Sequence, residues 1–203
     1  MQPQPPVLRA AHSSYEEGLV CAKYIDVAAE GFFGILLGRR ATELIAQAFM
    51  LRNNEYSHEN TVFAVHEDRI VGQAIGFTAA QRAGFPKNSL ASLDGYPKVR
   101  AGIIGFLLSS MLRVLETVPE GDFYLLSLAV DESQRGCGVG SALIDAMEER
   151  ARLTDSGRLS LHVAAKNAGA QRLYRRHGLS IEERWPKHIN LGKRGLYRMA
   201  KTL

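Results

Sequence analysis

The stretch LLSLAVDESQRGCGVGSALIDAMEERA, Leu125 to Ala151, decides how this chain is read. Leu125 to Val130 is an apolar run of strand length, Gln134 to Gly140 is a glycine-rich turn, and a helix begins near Val139. Val139, Leu143, Met147 and Ala151 fall along one face of that helix. Glycines at 136, 138 and 140 strip the turn of side-chain cover, so successive N–H groups can converge on an anion at the positive end of the helix dipole. The pattern predicts a phosphate-bearing ligand.

Composition sets the outer bounds. A chain of 203 residues that is 46% hydrophobic can bury one sizeable core, so a single domain over 1–203 is expected, with a flexible start at 1–6. The formal charge of +4, from 25 Lys+Arg against 21 Asp+Glu, is spread without dense basic runs, which argues against a nucleic-acid partner. Cys21 and Cys137 share no metal-ligand spacing with each other or with the six histidines. Neither a disulfide framework nor a metal site is therefore expected, and a reducing cytoplasm fits. Met1 to Pro6 lacks the charged start and apolar region of a signal peptide, and no apolar stretch approaches a membrane span.

Working outward, Val7 to Ala11 reads as a short strand, and Ser14 with Glu16 and Glu17 starts a helix that runs to about Ala29. Glu30 to Gly38 reads as a bend whose aromatics pack inward or line an acceptor cleft, and Arg39 to Met50 as a second helix. Thr61 to Val65 and Ile70 to Thr78 form a hairpin over the four-residue link His66 to Arg69. Ala79 to Lys98 has no period and reads as an irregular excursion. Val99 to Glu116 is predicted as a helix whose broad apolar face, including Ile103, Ile104 and Leu107, belongs to the core. Phe123 to Val130, the helix after it and a strand at Arg158 to Ala164 make a right-handed parallel crossover. A helix from Ala168 to Arg176 and strands at Ile181 to Arg184 and Leu196 to Thr202 close the chain.

Arg135-Gly136-Cys137-Gly138-Val139-Gly140 satisfies R-x-x-G-x-G; Asn167 follows the next strand, and Tyr174 to Leu179 reads YRRHGL. In order, spacing and context the chain resembles the GCN5-related N-acetyltransferase family. The resemblance implies an α/β (α+β) fold with one mixed, mostly antiparallel twisted sheet, helices on both faces, and a central parallel pair splayed at an acetyl-CoA site. It implies that acetyl-CoA, without a metal, donates an acetyl group to an amine. Backbone groups of Leu128 to Val130, Ala129 among them, would meet the pantetheine arm. Arg135 to Ser141, which includes Cys137 and Val139, would hold the pyrophosphate. Asn167 would meet the arm or cap its helix, and Tyr174 would act as acid toward the departing thiolate.

Departures are informative. Glu132 stands where the family usually has proline, Cys137 fills a commonly polar position, and Leu179 replaces phenylalanine. LLSLAV lacks the glutamate that some members use as a base, so proton removal is open among Glu30, His66 and His162. The acceptor is a small-molecule or peptide amine, and a homodimer is left open. A non-catalytic CoA-binding module is the rival reading. A P-loop or dinucleotide protein fits less well, because the turn lacks Lys-Ser/Thr and the required glycine spacing.

Overall fold

The computed structural model describes residues 6–107, 109, 117–186 and 195–203. Seven strands, β1 (Val7–Ala10), β2 (Thr61–His66), β3 (Arg69–Thr78), β4 (Asp122–Val130), β5 (Arg158–Ala164), β6 (Ser180–Trp185) and β7 (Leu196–Thr202), form one sheet. Its order is β1-β2-β3-β4-β5-β7-β6, and only β4 and β5 run parallel. The helices are α1 (Tyr15–Ala28), α2 (Phe32–Leu37), α3 (Ala41–Met50), α4 (Ala79–Gly84), α5 (Lys98–Leu107), α6 (Val139–Leu153) and α7 (Ala168–Arg176). The mixed sheet and its parallel crossover are those expected.

Each face of the sheet carries its own apolar layer. On one, Val139, Leu143, Ile144, Met147 and Ala151 of α6 and Tyr174 of α7 pack on Phe123, Leu125, Leu159, Leu161 and Val163. On the other, Cys21, Ala22 and Ile25 of α1 and Leu44, Ile45, Ala48 and Phe49 of α3 cover Phe63 and Ile75. Burying a Leu-sized side chain contributes roughly 1.5–3 kcal/mol, so the two layers hold α6 and α1 firmly against β4 and β3. Ser14 caps α1 by accepting the Glu17 amide at 3.2 Å, as the Ser-Ser-x-Glu-Glu pattern predicts.

Four local expectations change. The β2–β3 link is a two-residue turn: His66 pairs with Arg69, and Glu67 and Asp68 take φ of +48° and +57°. Positive φ at both central positions matches the twist of the flanking strands. Ala79–Gly84 is a helix held by a capping box, Thr78 accepting the Gln81 amide while Gln81 accepts the Thr78 amide. Glu30 to Gly38 contains the short helix α2 rather than only a bend. The helix expected over 99–116 is described to Leu107, and 108 and 110–116 lie outside the described residues, as do 1–5 of the expected flexible start. The described part corrects the core assignment: Val99, Ile103, Phe106 and Leu107 are exposed and only Ala101 is buried. This helix rests on α2 instead of on the sheet, so its stripe has no sheet face to cover.

Candidate active site

The site grows from an irregularity in β4. Ile75 pairs with Ser127 and Gly76 with Leu125, so Leu126 is an extra residue on β4, a bulge. A bulge bends its strand, and this one sits where the parallel pairing ends. β4 and β5 pair from Asp122↔Arg158 to Leu125↔Leu161 and no further, although β4 continues to Val130 and β5 to Ala164. The strands thus part above Leu125 and leave a fork.

Backbone groups of β4 face that fork. The Asp131 amide donates to the Val71 carbonyl at 2.8 Å, which turns Asp131 toward β3. Alternation then turns the N–H and C=O of Leu128 and Val130 to the β5 side and those of Ala129 toward β3. Arg135 Nε reaches the Val130 carbonyl at 3.4 Å and ties the glycine turn to the strand end. Ser127 and Ser160 flank the last parallel pair, and both hydroxyls are buried without a hydrogen-bond partner among the described residues.

At the mouth of the fork, Gly136 and Gly138 take φ of +82° and +86°, and a Cβ built on either meets no atom within 4 Å. Gly138 is the N-cap of α6. The amides of Val139, Gly140 and Ser141 follow it in the first turn, where no i−4 carbonyl of the helix exists to receive them. Gly140 differs from the other two: a Cβ there would lie 3.0 Å from Leu173 and near Val130 and Leu128, so this glycine lets α6 settle between β4 and α7. Cys137 is exposed. Asn167 caps α7, its Oδ1 accepting the Ala170 amide at 3.0 Å, so of its two readings the cap is the one the geometry displays.

Tyr174 is buried, and desolvation pushes its hydroxyl up to about 12. It enters from the α6–α7 face. From the opposite face comes a pair that the sequence did not bring together: Tyr124 Oη lies 3.0 Å from His162 Nδ1, with their ring centroids 5.7 Å apart. Tyr124 clusters with Phe77 and Phe85, its ring centroid 5.8 Å from that of Phe77, and the nearby Tyr174 opposes its ionisation. Register alone unites Tyr124 and His162, and a single sequence does not reveal register. Of the other two candidate bases, Glu30 is engaged by Lys166 at 2.5 Å, and His66 lies at the β2–β3 turn, two strands from β4.

Burial, followed by the nearby Arg198, pulls His162 down from 6.5 to about 4, and Glu183 acts weakly in the opposite sense. The unfolded chain therefore takes up this proton first. The contribution is fully present above about 6.5 and is lost as pH falls toward about 4. Thermal melts between these pH values should show stability falling with pH, with a shallower slope for His162→Gln. Equal slopes would show that His162 is not the group responsible.

Residues 30–179 match the model of the acetyltransferase (GNAT) family. An uncharacterized N-acetyltransferase of Methanocaldococcus jannaschii is 28% identical over 113 residues, 55% of this chain and 64% of that protein, so the match spans less than two thirds of the relative's length. Among solved structures, an N-acetyltransferase from Staphylococcus aureus Mu50 superposes with a TM-score of 0.71 at 16% identity, covering 96% of this chain and 100% of its own. The NatC complex bound to Gag peptide and CoA gives a TM-score of 0.57 at 14% identity, covering 98% of this chain and 99% of that one. At such identities these structures share the fold. Among the described residues, no helix is long and apolar enough to cross a membrane.

Proposed function

This chain belongs to the acetyltransferase (GNAT) family, and from that premise we propose that it is an N-acetyltransferase. It would move an acetyl group from acetyl-CoA to a primary amine of a small molecule or peptide, by direct attack in a ternary complex. The observation that supports this best is the fork between β4 and β5, which opens beside the Gly136–Gly138 turn, with Tyr174 buried in the apolar layer that covers these strands. The residues present fit the donor. The turn offers unshielded N–H groups over open space, Arg135 adds a cation, and β4 is not paired with β5 at Leu128 and Val130.

Acetyl-CoA would supply an activated acyl carbon and a thiolate leaving group. The amides from Gly136 to Ser141 would hold its pyrophosphate, and the edge of β4 would align the arm as an added strand. The Leu128 or Val130 amide would face the thioester oxygen as negative charge develops there. Tyr174 would donate a hydrogen bond to the sulfur as it leaves. The two free cysteines, one of them exposed, suit a reducing cytoplasm.

The donor assignment is tested at Gly138. Valine there meets a backbone with φ of +86°, which costs about 1–3 kcal/mol for a non-glycine residue and places a branched side chain over the anion's approach. Calorimetry should show CoA affinity falling roughly tenfold or more in Gly138→Val. Unchanged affinity removes the turn from the site. Tight CoA binding by the wild type without thiol release for any amine in a broad panel would make the chain a binding module instead.

A further inference from the structure

We propose that α5 docks this protein on an anionic lipid surface, its exposed apolar ridge entering the acyl chains while the cations along that ridge meet the headgroups. The inference goes beyond acetyl transfer and does not depend on it. Lys98–Leu107 reads KVRAGIIGFL. At about 3.6 residues per turn, Phe106, Val99, Ile103 and Leu107 follow one another around one side of this helix, and Ala101, Ile104 and Gly105 lie on the other. Burial follows that division. Phe106, Val99, Ile103 and Leu107 are 81%, 78%, 59% and 71% exposed, whereas Ala101 is buried and Ile104 and Gly105 are half-buried. Adjoining apolar side chains that stand more than half out of the surface mark a face built to be covered.

Cations border the ridge on both sides. By the same rotation Lys98 falls past Phe106, beyond Gly102, and Arg100 falls next to Leu107; both are exposed. Arg100 Nε donates to the Ile35 carbonyl at 3.0 Å, which brings α2 and its exposed Ile35 to that border. A Cβ on Gly38 would lie 3.9 Å from the Arg100 guanidinium, so the exposed Arg39 that follows belongs to the same corner. α5 itself carries no carboxylate. On the adjoining segments Glu30 is paired with Lys166 and Glu43 with Arg40, and Asp94 in the loop before α5 is exposed. The balance at this corner is positive.

An apolar ridge with cations along its borders selects among occupants. In a bilayer both parts are used: the ridge leaves water for the acyl chains, and Lys98, Arg100 and Arg39 reach anionic headgroups on apolar stems that lie along the same surface. A second copy of the chain fits less well, because a two-fold contact lays each border of the ridge on itself or on the other border, and either way cation meets cation. Nucleic acid would engage the cations and leave the ridge in water. A protein partner would have to supply a groove with acidic rims, whereas a bilayer receives a protruding ridge without a matching shape.

The test uses the full chain and vesicles of equal parts phosphatidylglycerol and phosphatidylcholine, with vesicles of phosphatidylcholine alone as the control. The protein should sediment with the first and stay in solution with the second, and raised salt should release it as the headgroup attraction is screened. Phe106→Asp should abolish sedimentation yet melt at the wild-type temperature, because a side chain 81% exposed contributes little to the fold. Lys98→Gln, which leaves the ridge intact, should weaken binding to the anionic vesicles about fivefold. Failure of the wild type to bind the anionic vesicles overturns the proposal, as does equal binding by Phe106→Asp. Equal binding to both kinds of vesicle overturns the part given to the cations. A dimer in sedimentation velocity without vesicles, dissociated by Phe106→Asp, assigns the ridge to a second copy and overturns the proposal too. These readouts are separate from CoA binding and thiol release, so neither reading falls with the other.

Discussion

Tyr174→Phe is expected to lower turnover by about 10²- to 10⁴-fold, the range that a positioned proton donor supplies, while CoA binds as tightly as before. The two readouts separate because the residue and the anion site are built by different elements. The ring of Tyr174 packs with Leu161, Val163 and Leu179 and would still do so as phenylalanine. The open turn at Gly136 and Gly138 and the first amides of α6 are untouched. Only the hydroxyl is lost, so an effect on kcat and on kcat/KM in equal measure would mark an interaction made in the transition state.

The acidity of that hydroxyl sharpens its role. Burial holds it up to about 12, well above an ordinary thiol at about 8.5. Early and complete proton transfer to sulfur is therefore uphill in this setting. On the proposed reading, the phenol would provide a hydrogen bond that strengthens as charge builds on sulfur, with transfer completing only as the bond to carbon is lost. Single-turnover measurements should place the Tyr174→Phe defect in the acyl-transfer step. Turnover equal to wild type would remove Tyr174 as the acid.

Much of this arrangement was legible in the chain, and what was not has a common cause. Local signals were read correctly where they act locally: Ser14 at a helix start, the glycine turn before Val139, and the strand–helix–strand spacing that forces β4 and β5 parallel. The capping box of Thr78 and Gln81 was equally local, but it stood in a stretch without apolar period and so was not seen as a helix. Features that depend on register were invisible. The bulge at Leu126 requires knowing that Ile75 faces Ser127, and the Tyr124–His162 pair requires knowing that Tyr124 faces Ser160. The apolar face from Val99 to Leu107 misled because periodicity reports a helix with two unlike sides and not what covers either of them. Gly140 carried a packing role inside a motif read as ligand-binding, since the motif cannot show that Leu173 lies 3.0 Å from its missing side chain.

Asp122→Ala should destabilise the fold by about 3–5 kcal/mol, the cost of breaking a buried ion pair from one side. Asp122 is 1% exposed at the root of the fork. It pairs closely with Arg198 of β7 and reaches Arg158 of β5 at 3.8 Å, so one carboxylate joins three strands. Arg158 is 38% exposed along its side chain and also pairs with Glu182, so water and that glutamate can serve it without Asp122. Arg198, at 14%, is far less open to water and would lose a closely held carboxylate from a largely buried position. The urea midpoint should drop with little change in slope. Arg158→Ala should cost far less, within the range of about 0–1 kcal/mol for exposed pairs. Asp122→Leu combined with Arg198→Met should recover much of the loss, because removing both charges also removes the desolvation that each requires. Recovery in the double variant would place the cost in the orphaned charge, whereas an additive loss would place it in the packing of β4, β5 and β7. The same cation lies opposite His162 and helps to keep it neutral. Arg198→Met should therefore raise the pH at which His162 begins to take a proton, a shift that the imidazole resonances in an NMR titration would report.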